Sequence, residues 1–247
     1  MENPNSPQKI KEALLDYAQT IDSAVLFPAL IPEAASFVVS DPYAFAIATC
    51  LDRGAKADII WTIPYYIKEY LGHLDPSRIY NMSIEELTSM FERLPRKPRY
   101  VNDAPKTLRE LTRIVVEECG GDVTKIWTGK SARDVKRTFQ SIHGVGNGIA
   151  NMAVLLIEKA FPIRFNDLDR RHMDIKPDVH TMRVLYRLGV SDNLSEQDAI
   201  DAARFLSPEF PGAVDGALWY IGRSWCYPTA PKCSSCPVEF VCIKQID

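Results

Sequence analysis

Apolar residues recur at three- and four-residue spacing along almost the whole chain. The pattern is clearest in KIKEALLDYAQTI, ADIIWTIPYYIKEYL, APKTLRELTRIVVEE and GIANMAVLLIEKAF. Such spacing places the apolar side chains on one face of an α-helix, whereas a half-buried strand needs strict alternation. The sequence therefore predicts an all-α fold.

Capping signals agree with the helical pattern. Ser83 and Glu86 have the spacing of a capping box, and Asp41 and Asp103 each stand just before a predicted helix. Gly189 is typical of a residue that ends a helix. The longest irregular segment is predicted at 165–177, where a proline disfavours helix in the preceding residue.

Composition limits the function classes. The 247 residues are 46% hydrophobic, contain no long uncharged apolar run and begin without a secretory signal, which predicts a globular, cytoplasmic and nucleoid-associated protein with no membrane partner. A net charge of -3 argues against nucleic-acid binding through bulk electrostatics. Any DNA contact must use a local patch. The basic segment 93–137 is the candidate, although a solvated helical face is the simpler interpretation.

Four of the six cysteines lie close together near the end of the chain: Cys226, Cys233, Cys236 and Cys242. A disulfide framework normally spreads its cysteines through a small secreted domain, so this grouping indicates metal ligation. Four thiolates suit a tetrahedral zinc ion or an iron–sulfur cluster. Zinc ribbons more often show two separate C-x-x-C pairs, so the spacing favours iron and sulfur.

A short glycine-rich loop, HGVGNG, separates two helical segments, SARDVKRTFQSI and IANMAVLLIEKA. Glycines at 144, 146 and 148 permit a tight turn and close approach of a phosphate. Free N–H groups at Val145, Gly146 and the start of the next helix are expected to face an anion. The alternative is a plain turn between packed helices.

An acidic residue, Asp178, opens a helix some thirty residues after this loop, in the segment PDVHTMRV. An N-cap role is the simplest interpretation of such an aspartate. However, the hairpin, the acid and the cysteine tail occur in the order and spacing of the endonuclease III branch of the helix-hairpin-helix DNA glycosylases. The chain resembles that family over roughly residues 41–242.

The resemblance implies a two-lobed, all-α helix-hairpin-helix fold. It places a helical domain at 41–162 and a second lobe at 1–40 plus 163–247, with an iron–sulfur loop at 226–242. Asp178 is then expected in the cleft between the lobes, as the catalytic carboxylate. Residues expected to contact DNA are Gly144, Val145, Gly146 and Gly148, with Arg53 as the wedge that fills the gap left by a flipped nucleotide. The four tail cysteines are expected to hold a [4Fe–4S] cluster.

Two departures from the family narrow the expected chemistry. Gly148 stands where strand-cleaving members carry a lysine nucleophile, and Thr49 stands where adenine glycosylases carry a glutamate. They predict a monofunctional glycosylase that acts on a damaged or mispaired base in duplex DNA and does not remove adenine from mispairs. We also expect the protein to be a monomer. Small side chains at both positions also favour a bulky or alkylated base. A bifunctional glycosylase/AP lyase and a non-catalytic DNA-structure binder are the alternatives.

Overall fold

The computed structural model describes residues 5–246, and this part of the chain contains helices and no strand, which confirms the all-α prediction. A π-helical turn, Ile114–Glu118, extends the seventh α-helix. The α-helices in chain order are α1 (Pro7–Thr20), α2 (Pro32–Ser40), α3 (Pro42–Leu51), α4 (Ala57–Leu71), α5 (Pro76–Tyr80), α6 (Ile84–Arg93), α7 (Ala104–Arg113), α8 (Ala132–Gln140), α9 (Asn147–Ala160), α10 (Asp167–Arg170), α11 (Val179–Leu188), α12 (Glu196–Leu206) and α13 (Asp215–Ser224).

The chain divides into two compact units. We call residues 23–164 the hairpin unit, and the residues up to Asp22 together with those from Phe165 the cysteine unit. The boundary at 164–165 lies close to the one expected at 162–163. The boundary at 22–23 lies earlier in the chain than the one expected at 40–41, because α2 packs against α3 and α4 and buries Ala34 and Val38 completely.

Aromatic side chains fill the centre of the hairpin unit. The Phe45 ring packs edge-to-face on Trp61, Trp127 and Phe161, at centroid separations of 5.1 to 6.1 Å. Trp127 and Phe161 stack with centroids 5.3 Å apart. Ring pairs of this kind add stabilisation beyond their buried area, so they fix how α3 and α4 meet the end of α9.

The cysteine unit is built around the packing of α11 on α13. Gly222 makes this close approach possible, because a Cβ added there would lie 2.6 Å from the Cβ of His180 and 2.9 Å from its Cα. Helix α1 covers the same core with Ile10, Ala13 and Leu14. The interface matters for function because α11 begins immediately after Asp178.

Replacing Gly222 with alanine is expected to destabilise the cysteine unit. Alanine is the better helix former by about 1 kcal/mol. Overpacking against the His180 backbone costs about 1–3 kcal/mol and opposes that gain. We therefore expect a lower urea midpoint, measured by far-UV circular dichroism. A midpoint equal to or above that of the wild type would contradict the assigned close contact.

The predicted helix boundaries are found at all four positions. Ser83 and Glu86 form a reciprocal capping box, Asp41 caps α3, and Gly189 ends α11 in a left-handed conformation with φ +76°. Asp103 precedes α7 without capping it through its side chain. Instead its carboxylate bonds the His143 ring at 3.2 Å, an interaction that lies outside any local pattern.

No single helix among residues 5–246 is long and apolar enough to cross a membrane. The neighbouring helices α2 and α3 reach the required length and apolarity only as a pair, and they are bent at 110° to one another.

Candidate active site

The carboxylate of Asp178 is fixed at the N-terminus of α11. Its Oδ1 accepts hydrogen bonds from the backbone N–H groups of His180 at 2.8 Å and Thr181 at 3.0 Å. In return, the Asp178 N–H donates to the Thr181 hydroxyl at 2.9 Å, which completes a capping box. The cap and the helix dipole both favour the ionised carboxylate.

The second carboxylate oxygen of Asp178 is left for another partner. Within residues 5–246, all the hydrogen bonds to this carboxylate end on Oδ1, and none ends on Oδ2. The side chain is partly exposed, and the adjoining Val179 is 63% exposed. The N-cap role and an outward-facing charged oxygen are therefore compatible in one residue.

The turn before Asp178 is braced from two directions. The buried Thr181 hydroxyl donates to the Lys176 carbonyl at 2.8 Å, and the Lys176 N–H donates to Oδ1 of Asp215 at 2.7 Å. Pro177, which lies between Lys176 and Asp178 in the chain, is buried. The carboxylate of Asp178 is thus presented by a turn whose backbone polar groups are already paired.

The four tail cysteines line one small, partly open cavity in the cysteine unit. Trp225, Pro231 and Ile246 give it apolar walls, and Arg187 supplies positive charge. Burial raises the pKa of the Cys236 thiol to about 11 and also raises that of Cys242. Thiolates in such surroundings need a cationic group to neutralise them.

The chemistry of this donor set fits an iron–sulfur group. All four cysteines line the same space, and two short 3-10 turns, Cys233–Ser235 and Glu239–Val241, end at Cys236 and Cys242. Among residues 5–246, no three His, Cys, Asp or Glu side chains are grouped for a single metal ion. Cys50 and Cys119, the remaining cysteines, are buried elsewhere.

Two arginines on α11 hold the loop that carries the first cysteine. Arg183 donates to the carbonyls of Gly222 at 2.9 Å and Cys226 at 2.6 Å. The buried Arg187 donates to the carbonyl of Tyr227 at 2.6 Å and contacts the Cys226 sulfur at 3.4 Å. Sequence reasoning missed both residues, although their four-residue spacing places them on one helix face.

The predicted hairpin lies in the other unit, between α8 and α9. Gly144 adopts φ +78°, which explains the need for glycine in the turn. The Val145 N–H donates to the Ile142 carbonyl at 3.0 Å, so the prediction that this group is free is wrong. Gly146 N-caps α9 without a side chain, and the first-turn N–H groups that follow have no intrahelical acceptor. The Val145 N–H is therefore not available to an anion.

One face of α7 secures the hairpin loop. The Thr107 hydroxyl donates to the His143 carbonyl at 2.8 Å, and Glu110 accepts the His143 N–H at 2.5 Å. The hydrogen bond from the His143 ring lowers the pKa of Asp103. Asp103, just before α7, and Thr107 and Glu110 within it stand four and three positions apart, hence on one side of the helix, a signal that sequence analysis overlooked.

Arg53, the expected wedge, is tied to the hairpin. Its guanidinium donates to the Gly144 carbonyl and, at 3.3 Å, to the Thr107 hydroxyl, and it lies over the Tyr100 ring at 5.6 Å from the centroid. A wedge role requires these bonds to open.

Thr49 is fully buried, and its hydroxyl has no hydrogen-bond partner among the described residues.

Replacing Arg53 with alanine is expected to loosen the hairpin. Loss of a hydrogen bond to a charged donor costs about 1–2 kcal/mol at a partly exposed position. The free energy of unfolding, measured in urea, should fall by that amount. Arg133→Ala, which removes an exposed arginine from α8, is the control and should change it little. Equal effects of the two variants would contradict the bracing role.

Much of the basic segment 93–137 is internally paired. Arg113 forms ion pairs with Glu117 and Glu118, each at 3.1 Å, and Arg137 pairs with Asp134 at 3.2 Å. The Arg109 guanidinium donates to the Met82 carbonyl. These contacts match the simpler interpretation of the segment, in which it forms a solvated helical face.

Comparison with known proteins finds solved structures with a similar fold. The sequence matches no protein-family model and no curated protein. One similar structure is a trapped endonuclease III–DNA covalent intermediate at 18% identity, and another is a non-covalent endonuclease III–DNA complex at 17%. Each alignment has a TM-score of 0.66 and covers 97% of this chain and 96% of the endonuclease III chain. A thermostable thymine-DNA glycosylase covers 98% of both chains at 20% identity, with a TM-score of 0.64. This chain therefore has the fold shared by endonuclease III and that thymine-DNA glycosylase.

Proposed function

We propose that this chain is a base-excision DNA glycosylase that hydrolyses the N-glycosidic bond of a damaged or mispaired base in duplex DNA. The observation that carries the proposal is Asp178, whose carboxylate caps α11 through Oδ1 and accepts no hydrogen bond at Oδ2 from residues 5–246. Its setting is a fold shared with proteins that are named DNA glycosylases or were solved with DNA.

The chemistry follows from the charge of this carboxylate. Breaking the glycosidic bond builds oxocarbenium character on the deoxyribose, and a nearby fixed anion stabilises that positive charge. The same carboxylate can accept a proton from the attacking water. Because Oδ1 is held by two backbone N–H groups, little reorganisation is needed when the charge develops.

Hydrolysis without strand cleavage is the preferred form of this reaction. Gly148, at the start of α9, offers no amine at the position where the lyase lysine is expected from the family resemblance. Water is then the nucleophile, and the product is an abasic site. Borohydride trapping of a covalent DNA adduct would instead favour a bifunctional enzyme.

Backbone donors of the hairpin are the proposed phosphate contacts. The N–H groups at the start of α9, together with the helix dipole, suit a DNA phosphate. The proposed contact residues are Gly144, Gly146 and Gly148. Val145 is left out because its N–H donates to the Ile142 carbonyl.

We further propose that Cys226, Cys233, Cys236 and Cys242 hold a [4Fe–4S] cluster. The support is the shared cavity, the all-thiol donor set and the nearby Arg187. When bound, the group joins the ends of the cysteine loop and supplies structural stability rather than a step in base excision. The proposed enzyme works as a monomer on DNA in the nucleoid.

A lesion screen tests the proposed function. Purified chain is incubated with duplexes that contain uracil, a thymine mispair, an oxidised pyrimidine, 8-oxoguanine or an alkylated purine, and abasic sites are revealed by alkali. Excision of at least one base supports the proposal. Binding to abasic-site DNA without excision of any base would favour a DNA-structure binder.

A further inference from the structure

A second carboxyl group, that of Asp215, faces the turn that carries Asp178. Asp215 is the first residue of α13 and is partly buried. Its Oδ1 accepts the Lys176 N–H at 2.7 Å, two residues before Asp178. Neither the resemblance nor the capping pattern assigns this residue a role.

The electrostatic setting of Asp215 is unusual for a surface-proximal aspartate. Loss of water raises the pKa of Asp215 to about 7, against the opposing effect of the Lys176 N–H bond, and the negative charge of Asp178 adds to the rise. The two carboxyl groups therefore influence one another.

We propose that Asp215 is a positioning residue for Asp178. The ionised carboxylate of Asp215 accepts a hydrogen bond from the Lys176 N–H and so fixes the turn that presents Asp178 to the sugar. This inference rests on the proposed glycosylase function. A charged acceptor holds a backbone N–H more strongly than a neutral one. Ionised Asp215 also adds negative potential near the site where the oxocarbenium charge forms.

The side chains around Asp215 determine which charges affect its pKa. The charged side chains that influence it directly are Lys176 and Asp178. From α11, which packs against α13, His180 lies against Gly222 and Trp219, and Arg183 donates to Gly222 and Cys226. Helix α1 contributes Tyr17, which packs on Trp225. These contacts lie farther along α13 than Asp215.

The proposal predicts opposite effects of one substitution on stability and on rate. The folded-state pKa of Asp215 lies above that of an unfolded aspartate, so stability present at acidic pH is lost as pH rises through about 7. Asp215→Asn removes this loss and should raise the melting temperature at about pH 8. A merely structural acceptor would leave the melting temperature equal or lower.

Excision rates over pH provide the decisive readout. Single-turnover rate constants of the wild type should rise with pH and level off above an inflection near pH 7, with up to about a tenfold change per unit below it. Asp215→Asn keeps the acceptor but should lose this inflection. Asp215→Ala removes the acceptor and should slow excision about 10- to 100-fold at all pH values, the scale of a small misplacement.

Asp174→Asn is the matched control. Asp174 is buried in the same unit and accepts two bonds from Arg204, at 2.8 and 2.9 Å. The control should lower the melting temperature and leave the pH inflection unchanged. An Asp215→Asn enzyme that retains the wild-type inflection would overturn the proposal.

A measurement without catalysis separates this inference from the proposed function. The Asp215 carboxyl is titrated by carbon-13 NMR in the wild type and in Asp178→Asn. A lower pKa of Asp215 in the variant supports the coupling, even if no base is excised and the glycosylase proposal fails. An unchanged titration overturns the inference, even in an active enzyme.

Discussion

Asp178→Asn should excise its base about 100- to 1000-fold more slowly than the wild type, the scale seen when one fixed electrostatic contact to a transition state is lost. Asparagine is as good an N-cap as aspartate, so α11 should keep its start and the chain its fold. The variant lacks the charge that stabilises the oxocarbenium ion and the group that accepts the proton of the attacking water. Single-turnover kinetics on the preferred lesion measure the loss, and affinity for abasic-site DNA should change little.

The matched control is Asp41→Asn. Asp41 caps α3 with the same geometry as Asp178, since its Oδ1 accepts two backbone N–H groups, each at 2.9 Å. The control removes a capping charge from the hairpin unit and should leave the excision rate within about twofold. Similar losses in both variants would show that a damaged cap, and not a missing catalytic charge, explains the result.

Cys236→Ser should remove the iron–sulfur group and destabilise the cysteine unit. Metal binding to a thiolate set contributes directly to folding, and we expect a loss of roughly 3 kcal/mol, equivalent to a melting temperature lower by about 15 °C. Iron content and visible absorption should fall together with the melting temperature. All three can be measured on one purified sample.

Cys119→Ala is the control for this experiment. Cys119 is buried in the hairpin unit, outside the cavity that the tail cysteines line. Its replacement should preserve iron content and visible absorption. A Cys236→Ser chain with the same iron content as the wild type would contradict the assignment of this cysteine as a ligand.

Local patterns in the sequence were sufficient to predict much of the fold. Helical periodicity, the Ser83 capping box and the left-handed end at Gly189 depend on residues within a few positions of each other. Asp178 belongs to the same class, because an aspartate before an apolar periodic segment identifies its own helix.

The contacts that position these groups depend on tertiary packing. Arg53 reaches Gly144 across 91 positions, and Lys176 reaches Asp215 across 39. No periodic pattern relates residues so far apart in the chain. The engaged N–H of Val145 has another cause, since it depends on the detailed backbone path of a short turn.

The domain boundary shows the same limitation. Residues 23–40 were expected with the second lobe, yet α2 belongs to the hairpin unit because Ala34 and Val38 are buried there. The sequence of α2 is amphipathic and could cover either core. Helix α2 lies in the hairpin unit because it packs on the surface formed by α3 and α4.

Product analysis of the preferred duplex by mass spectrometry tests the central claim most directly. Wild-type chain should release the free base and leave an uncleaved strand with an abasic site, whereas Asp178→Asn should release almost none. Intact DNA after prolonged incubation with every lesion duplex, from a chain that is folded and loaded with iron, would contradict the account.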